Sequence, residues 1–151
     1  MKIIKLYALF FLILVLTNNC GYTPIYSSSN LDLKINKIDY IPNILNQQIA
    51  QTLTSLSNIK SEKEYDIKLK TFKEKNIVSK NSKGGTETFE IKIIVELKAY
   101  NNDIEHAQRF SSKVKYNNND NKFELNQYEI EIEKQIINGL TEEIILFFSK
   151  L

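Results

Sequence analysis

The chain carries one thiol and one imidazole in 151 residues, Cys20 and His106. A metal site needs several such ligands at set spacing, and nucleophilic catalysis needs a base and an orienting group beside the nucleophile. His106 stands alone in IEHAQRF, on the apolar register of an alternating stretch, where an isolated core or edge histidine is expected. Ser, His and Asp occur without motif spacing. No phosphate-cradling glycine loop is present, and Gly84-Gly85 reads as a hairpin turn. These residues predict a protein that is not an enzyme and holds no metal or cofactor.

Cys20 has a different use, set by where it stands. MKIIK supplies Lys2 and Lys5, and LYALFFLILVL, Leu6 to Leu16, follows without a charge. A positive start and a short apolar run make a secretory signal. The run is too short for a membrane span, which needs about 20 apolar residues. It ends at Thr17-Asn18-Asn19-Cys20-Gly21, which resembles a bacterial lipobox. In a lipobox the cysteine thiol takes a diacylglycerol, and the cysteine becomes an N-acylated N-terminus. Thr17 and Asn19 replace the usual Leu and small residue before the cysteine, and Leu16 sits one place early. A lone cysteine in a secreted chain cannot form an internal disulfide, so lipidation gives the thiol a role. Gly21 is not the Asp that retains enteric lipoproteins at the inner membrane, which implies the outer membrane.

Residues 1–19 then read as the signal peptide, 20–30 as a lipidated tether with Pro24 and Ser27-Ser28-Ser29, and 31–151 as a single domain. The whole chain has 20 basic and 18 acidic residues. Lys2 and Lys5 leave with the signal, so the mature part is balanced and its global charge does not argue for nucleic acid.

Two periodicities lay out the domain. Leu31, Leu33 and Ile35 alternate with polar residues, which predicts a half-buried strand ended by Pro42. Leu45, Ile49, Leu53 and Leu56 form one apolar stripe on a helix over 43–57. Tyr65, Ile67 and Leu69 begin a second strand over 65–71, whose pattern fades through Lys73–Lys83. Phe89, Ile91, Ile93, Val95, Leu97 and Ala99 make the clearest strand. Asn101-Asn102-Asp103 turns the chain into a fourth strand, Ile104 to Tyr116. A long helix follows through Leu125, Tyr128, Ile132, Ile136, Leu140, Ile144, Phe147 and Leu151. Asn126 with Glu129 reads as its capping box, with Leu125 and Ile130 as a hydrophobic staple. Gly139 predicts a bend or a close approach to the sheet. The fold class is α+β, a two-layer sandwich in the order β-α-β-β-β-α. Its four-stranded mixed sheet carries two helices on one face.

The uncovered face collects Lys34, Lys68, Lys70, Lys92, Lys98, Arg109, Lys113 and Lys115 against Asp32, Asp66, Glu90 and Glu96. The last helix leans acidic, with Glu129, Glu131, Glu133, Glu142 and Glu143. The second-to-third strand connection adds Lys73, Lys75, Lys80 and Lys83. A basic face with few aromatics suits phosphate groups better than bases, which need stacking partners. Exposed lysines also keep a sheet soluble and its edges unpaired, and the charges alone do not separate these two uses.

Cys20-Gly21-Tyr22-Thr23-Pro24-Ile25-Tyr26 resembles the start of mature LPS-assembly lipoproteins of the LptE family, alphaproteobacterial type. The element order is similar, as is FELNQYEIEIEKQIINGLTEEIILFF at the C-terminus, and the resemblance covers residues 20–151. It implies an outer-membrane, periplasm-facing lipoprotein that plugs and helps assemble the LptD-type LPS-export β-barrel. It also implies contact with lipopolysaccharide during delivery to the cell surface. Lys80 and Lys83, with Lys75 behind them, are the candidate lipopolysaccharide-binding residues, through charge-assisted hydrogen bonds to lipid A phosphates. Partners are then the barrel, lipopolysaccharide and the outer membrane, with no nucleic acid. Two other classes share some of these features. A lipoprotein adaptor or pilot subunit of another envelope complex would share tether and fold. A lipid carrier would need an apolar cavity, against the large inward side chains expected here.

Cys20→Ser is expected to leave the precursor unacylated. Intact-mass spectrometry of the wild-type mature protein is expected to show diacylglycerol on residue 20; a mature mass without it contradicts the lipidation reading.

Overall fold

The computed structural model describes residues 31–151; the segments read as signal peptide (1–19) and lipidated tether (20–30), with Cys20, lie outside the described residues. The elements run β1 (Lys34–Tyr40), α1 (Ile44–Leu56), β2 (Glu64–Lys80), β3 (Thr86–Asn101), β4 (Ile104–Asn117) and α2 (Lys122–Phe148). The four strands form one sheet in the order β1-β2-β3-β4. β1 pairs parallel to β2, and the other two pairings are antiparallel. This is the expected two-layer α+β architecture.

β3 carries the core. Ile91, Ile93, Val95, Leu97 and Ala99 are all at most 1% exposed. They share one face of the pleat because successive strand side chains alternate. The same face takes Tyr65, Ile67 and Leu69 from β2 and Phe110 and Tyr116 from β4. Ile49 and Leu53 of α1 and Ile132, Ile136, Ile137, Leu140 and Ile144 of α2 close over them. Each fully buried side chain of this size contributes about 1.5–3 kcal/mol by leaving water. Large side chains fill the space between sheet and helices.

Three expectations need correcting. The first strand starts at Lys34, not Leu31, and runs to Tyr40. The register shifts between Ile35 and Lys37, so the inward set continues as Ile38 and Tyr40. Leu31 and Leu33 are buried as a lead-in: the Leu31 amide donates to the Leu56 carbonyl at 2.9 Å, and the Asn58 amide to that of Leu33 at 2.8 Å. The second strand runs on to Lys80 rather than ending at Thr71, because β3 offers partners as far as Thr86. Lys73 and Lys75 are therefore strand residues, not loop residues.

The third correction is the start of α2. Asn121 is the N-cap: its side chain accepts from the Phe123 amide at 3.1 Å and the Glu124 amide at 3.4 Å. Asn126 lies inside the helix, and Glu129 reaches across to the sheet instead of back to a cap. Tyr128 and Ile130 are more than half exposed. Gly139 makes no close approach, since a Cβ there would meet nothing within 4 Å. By contrast α1 begins as read, with the Asn43 side chain accepting from the Asn46 amide at 2.7 Å.

Losing an Asn N-cap costs about 1 kcal/mol. Asn121→Ala is therefore expected to lower stability by about that much, and Asn126→Ala to have little effect. Urea denaturation of both variants checks this, and the reverse order contradicts the assignment of the cap.

Candidate functional site

β2 holds Lys73 and Lys75 on the same side as Tyr65, Ile67 and Leu69, because period two carries the odd positions toward the helices. On α2, Glu129 and Glu133 are four residues apart and stack on one helical face. The two ladders meet. Lys73 Nζ lies 3.0 Å from Glu133 Oε1, and Lys75 Nζ lies 2.6 Å from Glu129 Oε1. The Tyr116 hydroxyl donates to the same Glu129 oxygen at 2.8 Å. Lys75 Nζ also sits 4.5 Å from the centre of the Phe89 ring, which stacks on Tyr116 at 5.7 Å between centroids.

Burial pushes the Glu129 carboxyl up. The hydrogen bonds from Lys75 and Tyr116 and the charges of Lys75 and Lys73 outweigh it and hold the group below the usual carboxylate value. Burial, reinforced by the hydrogen bond to Glu129 and the charges of Glu129 and Glu133, pushes the Tyr116 hydroxyl well above its ordinary range. The cluster latches the distal half of the sheet to the start of α2.

The candidate binding residues divide at this point. Lys75 is committed to Glu129 and Phe89. Lys80 and Lys83 flank the tip of the β2–β3 hairpin and form no ion pair among the described residues. The tip is ordered by Asn81, whose side-chain oxygen accepts from the Lys83 amide at 3.0 Å and the Gly85 amide at 2.9 Å. Gly84 has φ +82°, a left-handed conformation that glycine adopts without cost. Lys75 lies five residues below Lys80, roughly 17 Å along the strand. The structure therefore groups Lys80 with Lys83 and leaves Lys75 apart.

The uncovered sheet face holds the expected lysines of β2, β3 and β4, partly neutralised. Lys98 pairs with Glu105 at 2.7 Å, and Arg109 and Lys113 lie 3.8 and 3.7 Å from Glu96 and Glu90. Glu74 and Glu105 join this face and offset part of the basic excess. Lys68 Nζ stands 5.2 Å from the centre of the Tyr100 ring, with Lys70 and Lys98 beside it around a small groove. Phe72, partly exposed, pairs across β2 and β3 with Ile94, which is buried although it lies on this face; together they form an apolar island among the charges. His106 is half-buried on the helix side, with its ring centroid 6.2 Å from that of Tyr65.

Two features escaped the sequence reading. One is the Lys75–Glu129–Tyr116 latch. Its signal was present, since Lys73 and Lys75 continue the odd-numbered register of β2. The other is a cleft of about 600 Å³ where the first turn of α1 meets β2 and α2, with Ile44, Leu45 and Ile130 as its apolar lining and Thr71 and the Lys73–Glu133 pair among its polar lining. It joins residues distant in sequence, and no local pattern announces it.

This arrangement, two helices on one face of a mixed four-stranded sheet, is shared with solved bacterial lipoproteins. Rare lipoprotein B from Shewanella oneidensis is similar with a TM-score of 0.59 at 11% identity, over 76% of this chain and 95% of that one. Lipoprotein B from Nitrosomonas europaea gives 0.58 at 15% identity, over 77% and 84%. A minor lipoprotein from Acinetobacter baumannii gives 0.58 at 15% identity, over 78% and 92%. No protein-family model and no curated protein matches the chain. At these identities the likeness is one of fold.

The latch has a pH signature. A carboxyl held below its ordinary value of 4.5 contributes its full stability above that value and loses it as pH falls through the lowered one. Lys75 is 41% exposed, so solvent screens the pair. Glu129→Gln is expected to cost about 1 kcal/mol at pH 7 and to flatten the loss of stability below about pH 4.5. Denaturant titrations at pH 7 and pH 3 measure both. Equal acid sensitivity in wild type and variant contradicts the latch.

Proposed function

We propose that the protein is an outer-membrane lipoprotein, anchored through acylated Cys20 and facing the periplasm. In this reading it plugs and helps assemble the LPS-export β-barrel and contacts lipopolysaccharide on its way to the cell surface. The observation that carries the reading is the match of fold over almost the whole length of a solved rare lipoprotein B. Cys20, directly behind an apolar leader, supports the anchor.

Physical features of the domain suit the role. The interior of a large outer-membrane barrel is polar, and the uncovered sheet face is charged and hydrogen-bonding throughout, apart from the Phe72–Ile94 island. The filled core favours a plug over a lipid carrier, which needs internal space. Lys80 and Lys83 project from an ordered tip, where their ammonium groups can reach lipid A phosphates. Lys75 would take part only after releasing Glu129.

Affinity purification from detergent-solubilised outer membranes, followed by mass spectrometry, tests the partner. A large β-barrel in near-equal amount is expected. Recovery of a different envelope complex would transfer the protein to the adaptor or pilot class. In the purified protein, Lys80→Glu with Lys83→Glu is expected to weaken lipopolysaccharide binding about tenfold, equivalent to two charge-assisted contacts of modest strength. The thermal midpoint should not change. Unchanged binding removes the hairpin tip as the contact.

A further inference from the structure

Leu31 fixes where the preceding residues enter the domain. Its side chain is buried, and its amide donates to the Leu56 carbonyl at 2.9 Å, at the C-terminal end of α1. α1 has 13 residues, so Ile44 lies about 18 Å back along the axis from Leu56. The cleft of Ile44, Leu45 and Ile130 opens at that far end. Ile44 and Ile130 are 73 and 52% exposed there. The two charged residues of its lining, Lys73 and Glu133, pair with each other at 3.0 Å. Apolar surface is what the cleft leaves open, so it suits an apolar, uncharged occupant.

The route from Leu31 to the cleft is uncharged as well. α1 contains no charged residue. Gln47, Gln48, Gln51, Thr52 and Ser55 make its exposed side, and they offer amides and hydroxyls to a passing backbone. The exposed side of α2 carries Glu131, Lys134, Glu142 and Glu143 instead.

The segment before Leu31 matches this route in chemistry and in length. Residues 20–30, CGYTPIYSSSN, hold no charge, and Ile25 and Tyr26 follow Pro24. Extended chain advances about 3.3 Å per residue, so Tyr26 and Ile25 reach about 17 and 20 Å from Leu31. That interval is the length of α1. Pro24 fixes its own φ and disfavours the helical region for Thr23, which limits the ordering that docking requires. A segment already held at the other end of the helix also meets the cleft at a high effective concentration, in the millimolar range for short linkers. A second copy or another protein has no such advantage.

We propose that Ile25 and Tyr26 of the chain's own N-terminal segment seat in the Ile44–Leu45–Ile130 cleft, with residues 27–30 lying along α1. Docking leaves about 17 Å of chain between Ile25 and Cys20, in place of about 36 Å between Leu31 and Cys20. The first-turn end of α1 then faces whatever holds Cys20. The proposal rests neither on the barrel reading nor on acylation.

A photo-crosslinking benzoylphenylalanine in place of Tyr26 tests it, in the full-length protein purified in detergent. Irradiation and peptide mass spectrometry are expected to join residue 26 to residues 43–48 or 130–133 of the same molecule. Ile25→Ser and Ile44→Glu are each expected to lower that yield several-fold, since each removes apolar contact from the cleft. Deleting residues 27–29 shortens the reach by about 10 Å and is expected to abolish the crosslink. Absence of a crosslink to the cleft, crosslinks confined to other parts of the domain, or a yield unchanged by the deletion overturns the proposal. So does a yield that rises with protein concentration, which would give the cleft to a second copy.

Discussion

β3 has to bury five alternating side chains, Ile91 to Ala99, on one face of a single sheet. An isolated sheet exposes that face to water, so the chain must supply a cover about as long as the strand. α2 is that cover, and α1 completes it over β1 and β2. The one-sided demand explains why the opposite face remains open. Nothing else in the described chain is available to lie on it, so it is built from charged residues, ion pairs and one small apolar island.

The same constraint governs the electrostatics. β2 outruns β1, and its inward positions past Leu69 reach beyond the apolar core. Lys73 and Lys75 would there be aimed at a helix with nothing to meet them, had α2 not placed Glu129 and Glu133 opposite. Tyr116 adds a hydroxyl to the Glu129 carboxylate and a ring beneath Lys75 by way of Phe89. The latch therefore continues the core by polar means. Lys73 and Lys75 are thus taken up by two carboxylates on the interior side, whereas Lys80 and Lys83 at the hairpin form no ion pair among the described residues.

Much of this was legible in the sequence because both periodicities are clean. Period two located the strands, including the order and the tight β3–β4 turn, and spacings of three and four located both helices. What failed were boundaries set by partners at long range. β2 was cut short at Thr71 because its later inward positions are lysines, which read as loop until a carboxylate ladder is known to face them. The start of α2 was misplaced because Asn126–Glu129 satisfies a capping pattern locally, whereas Asn121 caps a first turn whose residues are exposed and carry no stripe. The first strand was misphased because one register shift near Asn36 moves the inward set by a residue. Of the candidate lysines, Lys80 and Lys83 lie at the β2–β3 hairpin and Lys75 is held by Glu129 instead, a partner no local pattern announces, while Cys20 lies outside the described residues.

The central claim is that the uncovered sheet face meets the inner wall of an outer-membrane barrel. A photo-crosslinking amino acid at Lys92, in the middle of that face, tests it in living cells, with Glu142 on the exposed side of α2 as the comparison position. The account predicts a crosslink from residue 92 to one large β-barrel protein. Residue 92 crosslinking to no barrel, or only to a component of another envelope complex, would contradict it.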